Sequence, residues 1–188
     1  MDFAKNWTAE VLKTPPLIAP ARQYVWPRRI AGEEDALARG AMYVEVRPSG
    51  GGSYLVMAAL GFKDPSMPSG LFACPDADEV CVLAGGYAYL AKAAQPEEVT
   101  LLGMKPVVEV IPATSAGLLL LVGFHTVLAW GVGGVAWETK RLSWEGVRIT
   151  GVEDEVLRGL GWDMMRDVEV EFAVDLRTGE HAGGGFRV

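Results

Sequence analysis

Apolar and polar residues alternate over short distances along most of the chain. Glycine, proline and aspartate break the alternation every few residues, and Val, Leu, Phe, Trp and Tyr fill the apolar positions. That pattern predicts short strands joined by tight turns. Residues 41–47 and 54–62 read as two strands, with Ser49-Gly50-Gly51-Gly52-Ser53 between them as a hairpin loop. Helical periodicity is scarce, and residues 33–39 alone suit about two helical turns.

Beyond residue 70 the pattern repeats. Gly85, Gly123 and Gly161 stand 38 residues apart. Each follows an apolar strand: Val80-Cys81-Val82-Leu83-Ala84, Leu118-Leu119-Leu120-Leu121-Val122 and Val156-Leu157-Arg158-Gly159-Leu160. A turn precedes each strand (75–78, 112–116, 151–154), and a second strand follows each glycine (88–92, 126–130 and a looser 165–170). A unit of this length, with several short strands, is the size of one propeller blade. The expected fold is therefore all-β, with propeller-like units at about 71–106, 107–144 and 145–180 plus an N-terminal hairpin unit; a β-sandwich is the runner-up. The four units either close a minimal ring or form an open arc, and an open arc leaves unpaired strand edges. Pro15, Pro16, Pro20 and Pro27 make residues 10–30 extended. Residues 1–40 are expected to form a Pro-rich arm with a short helix, and residues 41–188 the all-β body. The arm could cover a sheet edge, or two copies could pair.

The string Leu120-Leu121-Val122-Gly123, Val127-Leu128-Ala129-Trp130, Gly134-Val135-Ala136-Trp137-Glu138 resembles a blade of quinoprotein-type β-propellers. Those blades run apolar strand, Gly, short turn, second strand, Gly turn, then Trp at the start of the outer strand. Asp175-Leu176-Arg177-Thr178-Gly179 resembles the Asp-x-x-Thr-Gly turn of the same repeats, and it is complete in the third unit only. The resemblance spans residues 71–180 and implies blades, of which closed propellers usually have about 4–8. It carries no quinone and no dehydrogenase chemistry to this chain, because one fold hosts many functions. The chain also looks like a member of a bacterial protein family of uncharacterised function, which implies no activity.

Composition narrows the function classes. Half of the 188 residues are apolar and 22% are charged, as in folded globular proteins. The formal charge of −7 argues against nucleic acid or an anionic membrane as the main partner. Residues 110–137 carry no charged side chain, but Pro112 and five glycines interrupt them and the strongly apolar part is short, so no membrane span is expected. The first ten residues include Asp2 and Glu10 and do not read as a secretory signal, so a cytoplasmic address is expected. The basic pair Arg28-Arg29 is too short to hold nucleic acid.

Few residues suggest chemistry. Tyr87, His125 and Asp163 each lie two positions after a repeat glycine. On superposed repeats they would occupy equivalent places and could line one ligand-facing channel as a polar set for binding or acid–base work. The competing reading is that they end their strands or satisfy local backbone groups. Trp7 and Trp26 are the interface candidates, since aromatics on a Pro-rich arm can anchor it to its own body or to a partner. Cys74 and Cys81 would face each other across a hairpin, as a disulfide or as packed thiols. The acids Asp76, Asp78, Glu79 and Glu153, Asp154, Glu155 read as hairpin turns. Trp130, Trp137 and Trp144 are seven apart, but the intervening glycines deny a helical heptad. With two histidines in the chain, no metal site is expected, and no cofactor, nucleophile-elbow or phosphate-loop motif occurs. The leading expectation is a non-enzymatic, self-associating or protein-docking module. The alternative is a small-molecule binding protein or enzyme built on Tyr87, His125 and Asp163.

Overall fold

The computed structural model describes residues 2–27 and 36–186. The pair Arg28-Arg29 and the start of the helix expected at 33–39 lie outside the described residues; Ala36–Arg39 form one short 3-10 turn. Among the described residues the protein is all-β, with four sheets of four strands each. The chain divides into two compact units, residues 2–107 and 108–188.

In the first unit, β1 (Trp7–Leu12), β2 (Gln23–Trp26), β3 (Ala41–Pro48) and β4 (Tyr54–Ala59) form a sheet of order β1-β3-β4-β2. The Gly-rich loop joins β3 to β4 as a hairpin, as its composition predicts. β1 pairs antiparallel with β3, and β2 pairs parallel with β4. Residues expected to form an arm thus supply both edge strands of the first sheet. The second sheet is the meander β5 (Gly70–Ala73), β6 (Glu79–Ala84), β7 (Tyr87–Lys92) and β8 (Thr100–Leu101). The second unit repeats that plan twice. Its sheets are β9 (Val107–Ala113), β10 (Leu118–Gly123), β11 (Val127–Gly131) and β12 (Gly134–Glu138), then β13 (Val147–Glu153), β14 (Val156–Asp163), β15 (Val168–Asp175) and β16 (His181–Gly183). The last three sheets fall on the three expected blade units, except that β16 (His181–Gly183) lies past the expected end at residue 180 and β5 starts at Gly70.

Several boundaries move for physical reasons. Pro112 was expected in a turn but lies in β9, an edge strand, where a missing N–H breaks no ladder. β13 continues through residues expected to turn, because the two-residue turn Asp154-Glu155 closes the hairpin with both residues at positive φ. The looser strand expected at 165–170 begins at Val168, after a turn at 164–167. The charge-free stretch 110–137 is the third sheet; among the described residues no helix is long and apolar enough to cross a membrane.

Each pair of sheets shares one core. In the first unit Val44, Val46 and Val56 meet Val80, Val82 and Tyr89. In the second, Leu120, Val122 and Ala129 meet Leu157, Phe172 and Val174. Strict alternation in β3 puts Met42, Val44 and Val46 inward. β10 is buried along its whole length, as its apolar run requires, and so is β6, whose apolar run Val80–Ala84 follows a buried Glu79.

One contact recurs in both units. Trp26, on edge strand β2, donates its indole N–H to the carbonyl of Pro96, in the β7–β8 connection, at 2.8 Å. Trp137, on edge strand β12, donates to the carbonyl of Leu176, in the β15–β16 turn, also at 2.8 Å. In each case the outer strand of the earlier sheet is fastened to the last turn of the next. Gly179 closes the second dock: its φ is +73°, and a Cβ there would come within 2.7 Å of the Trp137 ring. Trp26→Ala is expected to cost about 3–5 kcal/mol by urea unfolding, because it empties a core site and strands the Pro96 carbonyl. Trp26→Phe is expected to cost less, since most of the ring volume stays.

Candidate functional site

Tyr87 opens β7 in the first unit, directly after the two-residue Gly85-Gly86 turn. Its ring is buried, edge-on to Phe62 at 6.0 Å, with the Lys105 ammonium 4.6 Å and the Arg39 guanidinium 5.6 Å from its centroid. Gly61 lies against it so closely that a Cβ would fall 2.1 Å from a ring carbon. Tyr87 therefore packs as a wedge between Gly61 and two cations.

His125 and Asp163 belong to the second unit and do different jobs. His125 is exposed in the loop between β10 and β11. Its carbonyl accepts from the Leu142 N–H at 2.8 Å, and its Nδ1 lies 3.4 Å from Arg141 Nη2. Arg141 itself stacks on the rings of Trp144 and Phe186 and donates to the Trp144 carbonyl at 2.6 Å. Asp163 ends β14 and is buried; its Oδ1 accepts the N–H groups of Met165 at 3.0 Å and Arg166 at 3.3 Å. This is an aspartate closing its own turn.

The equivalence that grouped the three residues does not hold locally. The hairpin loops are 85–86, 124–126 and 164–167, so they lengthen by one residue at each repeat. Tyr87 begins a strand, His125 lies in a loop and Asp163 ends a strand. The ungapped alignment of the glycines hid this drift.

Trp7 and Trp26 take the intramolecular half of their expectation. They are 4% and 1% exposed in the core of the first unit, and Trp7 donates to the Glu79 carbonyl at 3.0 Å. Neither ring has surface for a partner to touch. Cys74 and Cys81 are free, buried thiols. Burial pushes the Cys81 thiol up to about 12, and burial followed by the neighbouring Cys81 pushes Cys74 up as well, so neither is poised as a nucleophile. The first acid cluster organises its turn. Asp76 pairs with Lys92 and accepts the Asp78 N–H at 2.9 Å, and Asp78 accepts from the Asn6 side chain at 2.9 Å. The hydrogen bond from Lys92 holds the Asp76 carboxyl below the usual range. Among the described residues no three His, Cys, Asp or Glu side chains gather as a metal site would need.

Three features escaped the sequence reading. The connection from β1 to β2, residues 13–22, holds Leu17 and Ile18 at 105% and 92% exposure. Its signal was visible as two aliphatic residues inside Pro15-Pro16-Leu17-Ile18-Ala19-Pro20. The outer face of the fourth sheet carries a hollow of about 520 Å³ beside Leu160, Glu171 and Ala173. A second hollow of about 440 Å³ is lined by Glu138, Lys140, Thr178, Glu180 and His181. There, burial first and the Lys140 charge second hold the His181 imidazole below its ordinary range.

No protein-family model matches the chain, and no curated protein matches it.

Two outcomes follow from this geometry. Asp163→Ala is expected to destabilise the second unit by about 1–3 kcal/mol, read by denaturant unfolding, because the Met165 N–H loses its acceptor and the Arg166 N–H keeps only the Asp163 carbonyl. Asp163→Asn keeps an acceptor oxygen and should restore most of that loss. For His181, a lowered folded-state pKa means that the unfolded chain takes up the proton first. The His181 contribution is complete above about pH 6.5 and is lost as pH falls through the folded-state value. His181→Gln is expected to flatten that part of the melting temperature's pH dependence.

Proposed function

We propose that this chain is a non-enzymatic protein-docking module of the bacterial cytoplasm, and that residues 13–22 are its contact segment. The observation that carries the reading is the pair Leu17 and Ile18, held almost fully in solvent between two strands whose tryptophans are buried. A stable domain gains nothing from exposing two adjacent aliphatic side chains, whereas a docking loop requires it. Prolines on both sides restrict the loop before binding, which lowers the entropy lost on contact. Two of the three residues of the alternative reading are already engaged, Tyr87 in ring contacts and Asp163 in its own turn, which favours docking over catalysis.

A photoreactive residue at position 18 of the full chain, activated in bacterial cells, tests this reading. The expected result is a covalent protein adduct of discrete mass that disappears when the probe moves to Glu10, on the exposed face of β1. Absence of any protein adduct at position 18 would overturn the proposal.

A further inference from the structure

Among the described residues, the two most exposed sulfur-bearing side chains are neighbours in one turn. We infer that Met164 and Met165, between β14 and β15, form a site of reversible oxidation by peroxide, and that the cysteines do not. This goes beyond the docking reading and does not depend on it.

Exposure and ionisation rank the sulfurs. Met165 is 79% exposed and Met164 45%. Met42 is buried in the core of the first unit, and Met57, Met67 and Met104 are half-buried. Met1 lies outside the described residues. A cysteine intercepts peroxide as its thiolate, so it must be both ionised and reachable. Cys74 and Cys81 are neither. Both are fully buried, and burial raises both thiols, Cys81 to about 12. The adjacent thioethers of Met164 and Met165 are then the accessible sulfur nucleophiles.

The turn itself does not need those thioethers. Asp163 Oδ1 accepts the N–H groups of Met165 at 3.0 Å and Arg166 at 3.3 Å, and the Asp163 carbonyl also accepts the Arg166 N–H at 3.3 Å. On the far side, the Trp162 indole N–H donates to Asp167 Oδ1 at 3.1 Å. Backbone groups and two aspartates hold the chain in place, so oxygen can be added without loosening it. In that step the sulfur lone pair attacks one peroxide oxygen, the O–O bond breaks and an S–O bond forms. Sulfur gives up two electrons, and the peroxide is reduced to water. Val168, at the start of β15, is also 45% exposed, so the sulfoxides turn an apolar surface polar while the core stays as it was. Methionine sulfoxide reductases reverse the change: two thiols of the reductant become a disulfide and the oxygen leaves as water.

The purified full chain, treated with a modest excess of hydrogen peroxide and mapped by peptide mass spectrometry, tests the inference. Met165 is expected to gain oxygen first and Met164 next, both several-fold faster than Met42, Met57, Met67 and Met104. Met1 is read on its own peptide. In urea that difference should vanish, because unfolding equalises exposure. The thiol titre, taken after denaturation, should be unchanged over the same interval, and the oxidised chain should keep the untreated melting temperature. The double variant Met164→Leu/Met165→Leu should melt like the wild type and, on every peptide except that of Met1, take up oxygen only at the slow rate. Methionine sulfoxide reductases A and B with dithiothreitol should remove the added oxygen. Oxygen appearing first on Met57, Met67 or Met104 overturns the inference, as does thiol loss ahead of methionine oxidation. Selectivity that persists in urea overturns it too, because the fold would not be its cause. An oxidised chain that melts earlier, or that resists both reductases, marks damage instead of a reversible site and has the same consequence.

Discussion

The fold depends on an indole N–H finding a carbonyl in the neighbouring sheet. A four-stranded sheet of short strands has one apolar face and little stability alone, so it must be paired with a second layer. A buried tryptophan ring adds a large apolar surface to that pairing, and its N–H demands an acceptor. Trp26 and Trp137 meet both needs at once. Each ring joins the sheets, and each hydrogen bond at 2.8 Å fixes which turn lies under which edge strand. The parallel placement of β2 is consistent with this constraint. On the edge beside β4, Trp26 stands over the β7–β8 connection, and the chain crosses from one edge of the first sheet to the other between β1 and β2.

That crossing produces the loop at 13–22, and the rest of the polar inventory explains why the loop stands out. Asp163 caps a turn, and Asp76 fastens a hairpin to Lys92. Ser143, fully buried, donates to the Gly146 carbonyl and accepts the Trp162 N–H, both at 2.8 Å. Tyr87 is a packing wedge. These groups obey the rule that buried polar atoms are paired, and each one so used is withdrawn from chemistry. Leu17 and Ile18 break the companion rule that adjacent aliphatic residues are covered. Local departures from an otherwise consistent design are where function concentrates.

Much of the fold was legible because strand composition and turn residues are local signals. The recurrence of apolar strand and glycine every 38 residues located the last three sheets, although the final strand, β16, lies beyond the expected unit 145–180. The first sheet was only half legible. Residues 41–48 and 54–59 announce a hairpin, whereas β1 and β2 are separated from it by prolines, and their pairing is a long-range choice made by Trp7 and Trp26. The local setting of the candidate residues was illegible for a different reason. Equal glycine spacing promised equal positions for Tyr87, His125 and Asp163, but loops of different length absorbed the register while the spacing stayed constant. The acids Glu153, Asp154 and Glu155 did announce their hairpin turn, but its length was not legible, because positive φ is normally signalled by glycine or asparagine and here Asp154 and Glu155 adopt it.

The same N-terminal residues carry stability and contact together, and this dictates how the two can be separated. Cutting away residues 1–30 would remove both edge strands of the first sheet and two buried tryptophans, so any change in assembly would follow from a damaged core. The loop between those strands has no such role. Leu17 and Ile18 touch little of their own chain, and their replacement by polar residues leaves β1, β2 and both indole contacts in place. Surface and scaffold therefore meet within the loop itself. Substitutions at Leu17 and Ile18 report on binding, whereas Arg22, which stacks on Tyr24 and Tyr54 and whose carbonyl accepts the Leu55 N–H, already belongs to the scaffold.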